Sequence, residues 1–192
     1  MLLARITEEL NSLFEDIQVS PAVAEPVAEA ETTPAGEQGG GEEVQGQESP
    51  KAEESAPEAA PQGPQVTDYK TKGYHLNVAL PPEKIVAAIE ILNREKFFLE
   101  AITGVDWIAE QQLEVVYDFN HYAELCRVVI RTRLDRNNPE VPTISNIYQG
   151  ANWHERETHD FFGIKFTGHP NLEPLLLPED ADFHPLLKDF KA

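Results

Sequence analysis

Residues 20–65 contain no aromatic side chain, and this long stretch limits how much of the chain can fold around a core. The stretch holds seven Pro, six Gly, nine Ala and ten Glu. A segment of this composition cannot bury enough apolar surface to offset the conformational entropy that is lost on ordering. We therefore predict a disordered acidic linker over residues 20–65. It would separate residues 1–19 from a globular part that begins at residue 66.

The net charge of −19 is unevenly distributed and argues against two classes of ligand. Residues 20–65 contribute −9, whereas residues 66–192 combine 13 basic with 20 acidic side chains. Binding to a nucleic acid backbone depends on a surplus of Lys and Arg, and so does adsorption to anionic lipid. We therefore expect no nucleic acid partner and no direct attachment to a lipid surface.

The sequence also predicts no direct membrane insertion. No apolar run approaches the ~20 residues that a membrane-spanning helix needs, and the first residues do not have the pattern of a signal peptide. We expect a soluble intracellular chain, which other subunits would have to hold if it works at a membrane.

A single cysteine, Cys126, excludes further classes of protein. One thiol cannot form an intrachain disulfide, and an iron–sulfur cluster normally requires four thiolates. Cys126 lies between apolar residues of a β-rich run, which predicts a buried and unreactive side chain.

Residues 1–19 are predicted to form an amphipathic helix. Apolar residues recur at spacings of three and four, as on one face of an α-helix. The predicted stripe consists of Leu3, Ile6, Leu10, Leu13, Phe14 and Ile17.

Residues 66–166 alternate between strand and helix patterns. Residues 74–80 alternate like a half-buried strand, and Pro81-Pro82 then begins a helix. The predicted buried stripe of that helix is Ile85, Ala88, Ile89 and Leu92. Residues 97–108 are of extended type. Residues 113–119 and 125–133 are β-rich and predict an antiparallel hairpin with His121 and Tyr122 in its connection.

The C-terminal part is predicted to contain one helix and a long arm. Residues 135–142 are polar with two prolines and predict a loop. Residues 144–148 predict a short helical turn, and residues 152–162 a helix that ends at Gly163. Residues 167–192 are Pro-rich and predict an extended arm. The whole order predicts an α+β fold: a mostly antiparallel sheet, helices packed on one face and a long irregular C-terminal arm.

The segment 153–189 contains four histidines, so metal chemistry has to be considered. His154-Glu155 begins like the H-E-x-x-H zinc motif, but the next histidine is His159, five residues on. A regular helix rotates these two side chains about 140° apart, which does not suit one metal ion. Glu155 and His159 are four residues apart and could share a helix face, but no second Glu/His pair accompanies them. A metal-dependent hydrolase stays open as a minor alternative.

A structural interpretation accounts for the same segment. Arg156 and Asp160 are four residues apart on the helix and are predicted to pair. The four prolines between residues 170 and 185 favour an extended course with low ordering cost, which suits an arm that lies along a partner.

The order of residues from position 150 onwards resembles a known family. The matching string is Gly150 to Trp153, Glu155-Arg-Glu, Asp160, Phe162-Gly-Ile164, Phe166, Gly168-His-Pro170, Leu172, 176–180, His184-Pro-Leu186 and Lys188-Asp-Phe190. Upstream matches are Pro81-Pro-Glu-Lys, 103–106 and 114–117. This order and spacing is similar to the 30-kDa subunit family of respiratory complex I (NADH:quinone oxidoreductase).

The resemblance implies a non-catalytic scaffold in the peripheral arm of a proton-translocating, quinone-reducing enzyme. It implies tight binding to the 49-kDa-type subunit and to cluster-bearing subunits at the cytoplasmic face of the cell inner membrane. It also implies no cofactor or metal in this chain, because FMN, iron–sulfur clusters and quinone belong to neighbouring subunits. The positions carried over as scaffold or partner-interface residues are Trp153, Glu155, Arg156, Glu157, Asp160, Gly163, Gly168, His169, Pro170, Lys188 and Asp189.

Three positions depart from the family pattern. The family usually has an aromatic residue where this chain has His159, two basic residues where it has Glu173-Pro174, and a basic residue where it has Leu187. The replaced cations change the surface that the arm presents. An equivalent scaffold in a membrane-bound hydrogenase, or in a ferredoxin- or F420-linked oxidoreductase, is therefore a second hypothesis.

Overall fold

The computed structural model describes residues 1–14 and 63–191, which belong to one compact unit. The predicted linker lies outside these residues except for its last three. Among those three, Gln65 already belongs to a strand. No helix within the described residues combines the length and the apolar character that crossing a membrane requires.

A five-stranded sheet forms the centre of the fold. In spatial order it consists of β1 (Gln65–Val66), β2 (Leu76–Ala79), β5 (Arg127–Asp135), β4 (Gln112–His121) and β3 (Phe97–Trp107). Only the contact of β2 with β5 is parallel, and the other three contacts are antiparallel. The predicted hairpin is confirmed as β4 and β5, although His121 still belongs to β4 and the second strand begins at Arg127.

Three helices pack on one face of this sheet, as the sequence predicted. They are α1 (Leu2–Ser12), α3 (Ile85–Arg94) and α4 (Ala151–Phe162). All four residues of the predicted stripe on α3 are buried. They share one core with the inward side chains of the strands, among them Val78, Val115, Tyr117 and Ile130. The predicted α+β architecture is therefore confirmed.

Helix α1 joins this core although 48 residues outside the described part separate it from β1. Its buried side chains are Leu2, Ile6 and Leu10, so Leu2 takes the place that the prediction gave to Leu3. Two reciprocal ion pairs, Arg5 with Glu95 and Arg94 with Glu9, link α1 to the end of α3. The predicted Ile17 lies outside the described residues.

The opposite face of the sheet is polar. Arg127 binds Asp118 through two hydrogen bonds of 2.8 and 2.7 Å. Arg131 and Arg133 lie 3.5 and 3.2 Å from oxygens of the buried Glu114 carboxylate. The indole of Trp107 donates to Glu114 at 3.1 Å and lies under the Arg133 guanidinium. The charges of this face therefore satisfy one another.

Some elements were absent from the sequence prediction. They are a short helix α2 (Tyr69–Lys72) before β2 and the strand β6 (Glu140–Pro142). Strand β6 pairs in parallel with β7 (Lys165–Thr167), and the sequence predicted an extended segment over residues 164–166 there. The loop prediction for residues 135–142 is therefore wrong for its last three residues. Cys126 is buried as predicted, but it precedes β5 and does not lie within it. Burial raises the pKa of its thiol to about 11, which keeps the thiol protonated at neutral pH.

Candidate partner-binding site

Helix α4 and the C-terminal arm form one continuous surface. We use the term C-terminal arm for residues 168–191, which carry no helix or strand. The helix ends where predicted, because Gly163 takes a positive φ of 73° and its N–H bonds to the carbonyl of His159. A Cβ at Gly163 would lie 2.7 Å from the His184 ring, so the arm can approach the helix end only at a glycine.

Asp160 fixes the middle of the arm. One of its carboxylate oxygens accepts the backbone N–H groups of Leu175, Leu176 and Leu177 at 2.8, 2.7 and 3.2 Å. Burial alone would raise the pKa of this carboxyl, but the three donors outweigh burial and hold it below its usual value. The Asp160 carbonyl also lies 2.8 Å from Nδ1 of His184.

Arg156 does not pair with Asp160, so this part of the sequence prediction is wrong. Its guanidinium donates to the carbonyls of Glu173 and Pro174, both at 2.9 Å, and lies 5.4 Å from the Trp153 ring. The amide donors of residues 175–177 already occupy the Asp160 carboxylate. Arg156 and Asp160 therefore bind successive backbone groups of the same arm.

A second anchor holds the end of the arm at the edge of the sheet. The buried carboxylate of Asp106 on β3 accepts two hydrogen bonds from Arg136, at 3.0 and 3.1 Å, and one from the Lys188 N–H at 2.8 Å. Arg136 also bonds Asp189 at 2.6 Å. Burial would raise the pKa of Asp106, but these donors lower it, and Arg136 likewise lowers the pKa of the exposed Asp189.

Glu155 lies inside the core and faces no solvent. It accepts the N–H of Ile144 at 2.7 Å and a hydrogen bond from the Thr143 hydroxyl. Nε2 of His169, whose side chain is also fully buried, lies 3.8 Å from Glu155. Burial raises the pKa of Glu155 to about 7 in spite of these donors, and burial lowers the pKa of His169. Glu155 is therefore an internal connection between α4 and the segment before it.

The histidines of the segment serve separate contacts. His159 Nδ1 lies 2.9 Å from the carbonyl of Ile164, and His169 Nε2 lies 3.3 Å from that of Asn152. Within residues 1–14 and 63–191, no group of three His, Cys, Asp or Glu side chains is arranged to hold a metal ion.

The residues carried over from the resemblance divide into three groups. Glu155 and Asp160 are buried, and Arg156 and Gly163 are partly buried, as is His169, of which only the backbone is accessible. The exposed members are Trp153, Glu157, Gly168, Pro170, Lys188 and Asp189. The sequence prediction did not include Asp106 and Arg136 among the site residues. Asp106 was only part of an upstream match, and no local pattern pointed to Arg136.

The outer side of this surface carries several exposed large apolar side chains. Trp153 on α4 keeps 58% of its surface exposed, and Leu176 on the arm keeps 59%. Phe183 and Leu186 are also exposed, and the N–H of Leu186 bonds the carbonyl of Phe161 on α4. Exposed large apolar side chains that share one surface mark a site of protein association. Helix α4 and the arm, held together by buried polar contacts, therefore form a candidate partner-binding surface.

Comparison with known proteins agrees with the resemblance noted in the sequence. The C subunit of NADH-quinone oxidoreductase from Roseiflexus sp. (strain RS-1) is 44% identical over 119 residues, covering 59% of this chain and 68% of the relative. The C/D subunit of NADH-quinone oxidoreductase from Phocaeicola vulgatus is 38% identical over 116 residues, covering 59% of this chain and 22% of that longer relative. The C subunit of F(420)H(2) dehydrogenase from Methanosarcina mazei is 39% identical over 93 residues, covering 48% of this chain and 59% of the relative.

The family model that matches this chain spans residues 78–192. This range begins at the third residue of β2 and includes the rest of the sheet apart from β1, together with α4 and the arm. Its description is the 30 Kd subunit of respiratory-chain NADH dehydrogenase. The matched part thus contains both anchors of the arm, at Asp160 and at Asp106. On this basis the chain belongs to the 30 Kd subunit family of respiratory-chain NADH dehydrogenase.

Proposed function

We propose that this chain is a non-catalytic scaffold in the peripheral arm of a proton-translocating NADH:quinone oxidoreductase. It binds the 49-kDa-type subunit through α4 and the C-terminal arm, and it also meets cluster-bearing subunits. FMN, the iron–sulfur clusters and quinone are held by those neighbours, and the assembly lies at the cytoplasmic face of the cell inner membrane.

One observation carries this proposal: the buried and partly buried polar side chains of the matching segment bind the chain itself, whereas several of its large apolar side chains are exposed. Asp160 and Arg156 are occupied by backbone groups of residues 173–177, and Glu155 by residues 143–144. Groups occupied in this way serve to position the arm. The exposed Trp153 and Leu176 are then available to a partner.

The name of the Phocaeicola vulgatus relative supports the choice of partner. That relative carries the designations C and D in a single chain, and this chain matches 22% of it. Two subunits that form one polypeptide are held close to each other in the assembly, within the reach of the linker that joins them. A subunit of the D type, which is the 49-kDa type, is therefore the partner that we propose for this chain.

Affinity purification from native membranes tests the proposal. A tagged full-length chain, extracted in mild detergent, should bring down the 49-kDa-type subunit and cluster-bearing subunits in stoichiometric amounts. The isolated assembly should oxidise NADH with a quinone acceptor. Recovery of the chain alone, or of a set without a 49-kDa-type subunit, would contradict the proposal.

A second candidate is the same scaffold role in an assembly with a different electron donor. The similarity to the C subunit of an F(420)H(2) dehydrogenase favours it, as does the Glu173-Pro174 departure from the family pattern. The purified assembly should then oxidise reduced F420, reduced ferredoxin or hydrogen, and it should not oxidise NADH. This comparison of donors separates the two candidates.

A further inference from the structure

The exposed surface of α4 and the arm carries negative charge as well as apolar side chains. We name it the acidic-apolar ridge. Its apolar members are Trp153, Leu176, Phe183 and Leu186, and its acidic members are Glu157, Glu173, Glu179, Asp180 and Asp182. Between residues 173 and 187 the chain contains four carboxylates and no Lys or Arg. The stretch of the arm that carries Leu176, Phe183 and Leu186 is therefore anionic.

The carboxylates of the ridge differ from those on the polar face of the sheet. All five are exposed, and none has an ion-pair partner within residues 1–14 and 63–191. On the polar face of the sheet, opposite the helices, Asp118 and Glu114 are instead paired with arginines. A partner could bind that face only by displacing existing pairs, whereas cations brought to the ridge would form new ones.

Arg156, a cation that lies beside the ridge, forms hydrogen bonds with backbone carbonyls and no ion pair with the five ridge carboxylates. Its guanidinium is directed at the carbonyls of Glu173 and Pro174 and stacks near Trp153. Its hydrogen bonds hold the arm against α4 and leave the Glu173 carboxylate exposed. The contacts of Asp160 with residues 175–177 fix the same stretch, so the ridge loses little conformational entropy on binding.

We propose that the acidic-apolar ridge binds a basic surface of the 49-kDa-type subunit, in which Lys or Arg side chains surround pockets for Trp153, Leu176 and Leu186. This inference rests on the proposed function and adds the chemistry of the partner surface. A second copy of this chain is a poor occupant, because two ridges would bring like charges together.

Two matched variants of the full-length chain test this inference. The ridge variant is Glu173→Gln, Glu179→Gln, Asp180→Asn and Asp182→Asn. The control is Glu8→Gln, Glu83→Gln, Glu90→Gln and Glu124→Gln, which removes four equally exposed charges away from the ridge. Each is titrated against the separately purified 49-kDa-type subunit of the same organism at low and high salt. Because all the altered side chains are exposed, Tm should stay close to that of the native chain.

The native chain and the control should bind alike. The ridge variant should bind about tenfold more weakly at roughly 0.05 M salt, and the difference should shrink towards roughly 0.5 M salt as the charges are screened. Equal or tighter binding by the ridge variant would overturn the inference while the proposed function stands. Failure of the native chain to bind would overturn the proposed function itself. A native dimer that Leu176→Ala dissociates would assign the ridge to a second copy and also overturn the inference.

Discussion

The backbone N–H of Leu176 lies 2.7 Å from a carboxylate oxygen of Asp160, a residue sixteen positions earlier in the chain. The same oxygen accepts the two neighbouring N–H groups, so one side chain of α4 sets the course of the arm. Three donors on one ionised oxygen form a strong local arrangement, because hydrogen bonds to a charged group are stronger than those between neutral groups.

Replacing Asp160 should release the arm. Asp160→Ala leaves three amide donors without their acceptor, and we expect a loss of about 2–4 kcal/mol in the free energy of unfolding. Hydrogen exchange should accelerate at residues 175–177 before the sheet is affected. Glu157→Ala, on the same helix but exposed, is the control and should leave exchange unchanged. Equal protection of residues 175–177 in Asp160→Ala would refute this role.

Removing Arg136 should destabilise the end of the arm. Arg136→Ala leaves the buried Asp106 carboxylate without its cation, which typically costs about 3–5 kcal/mol. The pKa of Asp106 is lowered in the fold, so its contribution to stability is present above the usual value of 3.8 and is lost as pH falls through the folded pKa. The variant should lose stability mainly near neutral pH and much less in acid.

Denaturant unfolding at several pH values measures this difference. Asp189→Asn provides the control, because Asp189 is exposed and its removal leaves the pair of Arg136 with Asp106 intact. If the Arg136→Ala variant lost as much stability at pH 3 as at pH 7, the proposed role of Arg136 as the cation that neutralises Asp106 would be wrong.

A side chain at position 104 should separate α4 from the sheet. A Cβ on Gly104 of β3 would lie 2.4 Å from the Phe162 ring, which is closer than packed atoms can approach. We expect Gly104→Ala to cost about 1–3 kcal/mol, as overpacking in cores does. Gly150→Ala is the matched control, because nothing lies within 4 Å of a Cβ there. The double variant Gly104→Ala, Phe162→Leu should recover part of the loss, and failure to do so would place the strain elsewhere.

The buried Glu155 predicts an unusual pH dependence of stability. Its pKa rises from 4.5 to about 7 in the fold, so between these values the folded state binds more protons than the unfolded state. The free energy of unfolding should therefore fall as pH rises through this window, by about 3 kcal/mol in total.

Glu155→Gln should remove that slope and make the protein more stable than the native chain at pH 8. The lowered pKa of His169 contributes a slope of opposite sign just below pH 6.5, so the informative quantity is the difference between native chain and variant. Chemical denaturation at half-unit steps from pH 4.5 to 8 measures it. A constant difference over this range would show that Glu155 keeps an ordinary pKa.

The parts of the fold that follow local periodicity could be predicted from the sequence. The stripe Ile85, Ala88, Ile89 and Leu92 is a repeat of helical period, and the end of α4 at Gly163 follows from the conformational freedom of glycine. Strand β6 was missed because three residues that pair in parallel with a distant strand leave little local pattern.

The contacts that define the candidate site could not be predicted in this way. A spacing of four residues made Asp160 the expected partner of Arg156, but tertiary folding brings the carbonyls of residues 173–174 closer to its guanidinium. Asp106 and Arg136 are thirty residues apart, and nothing in either local sequence identifies the other as a partner. The family resemblance located the segment, whereas its internal bonding is visible only in three dimensions.

The order of synthesis gives the arm a further consequence. Translation proceeds from the N-terminus, so the sheet and α4 are synthesised before residues 173–186. The Asp160 carboxylate can bind its three amide donors only after residues 175–177 have been synthesised. The acidic-apolar ridge needs both α4 and these late residues, and a chain that terminates early cannot form it. Assembly through the ridge would thereby exclude chains that terminate before residue 173.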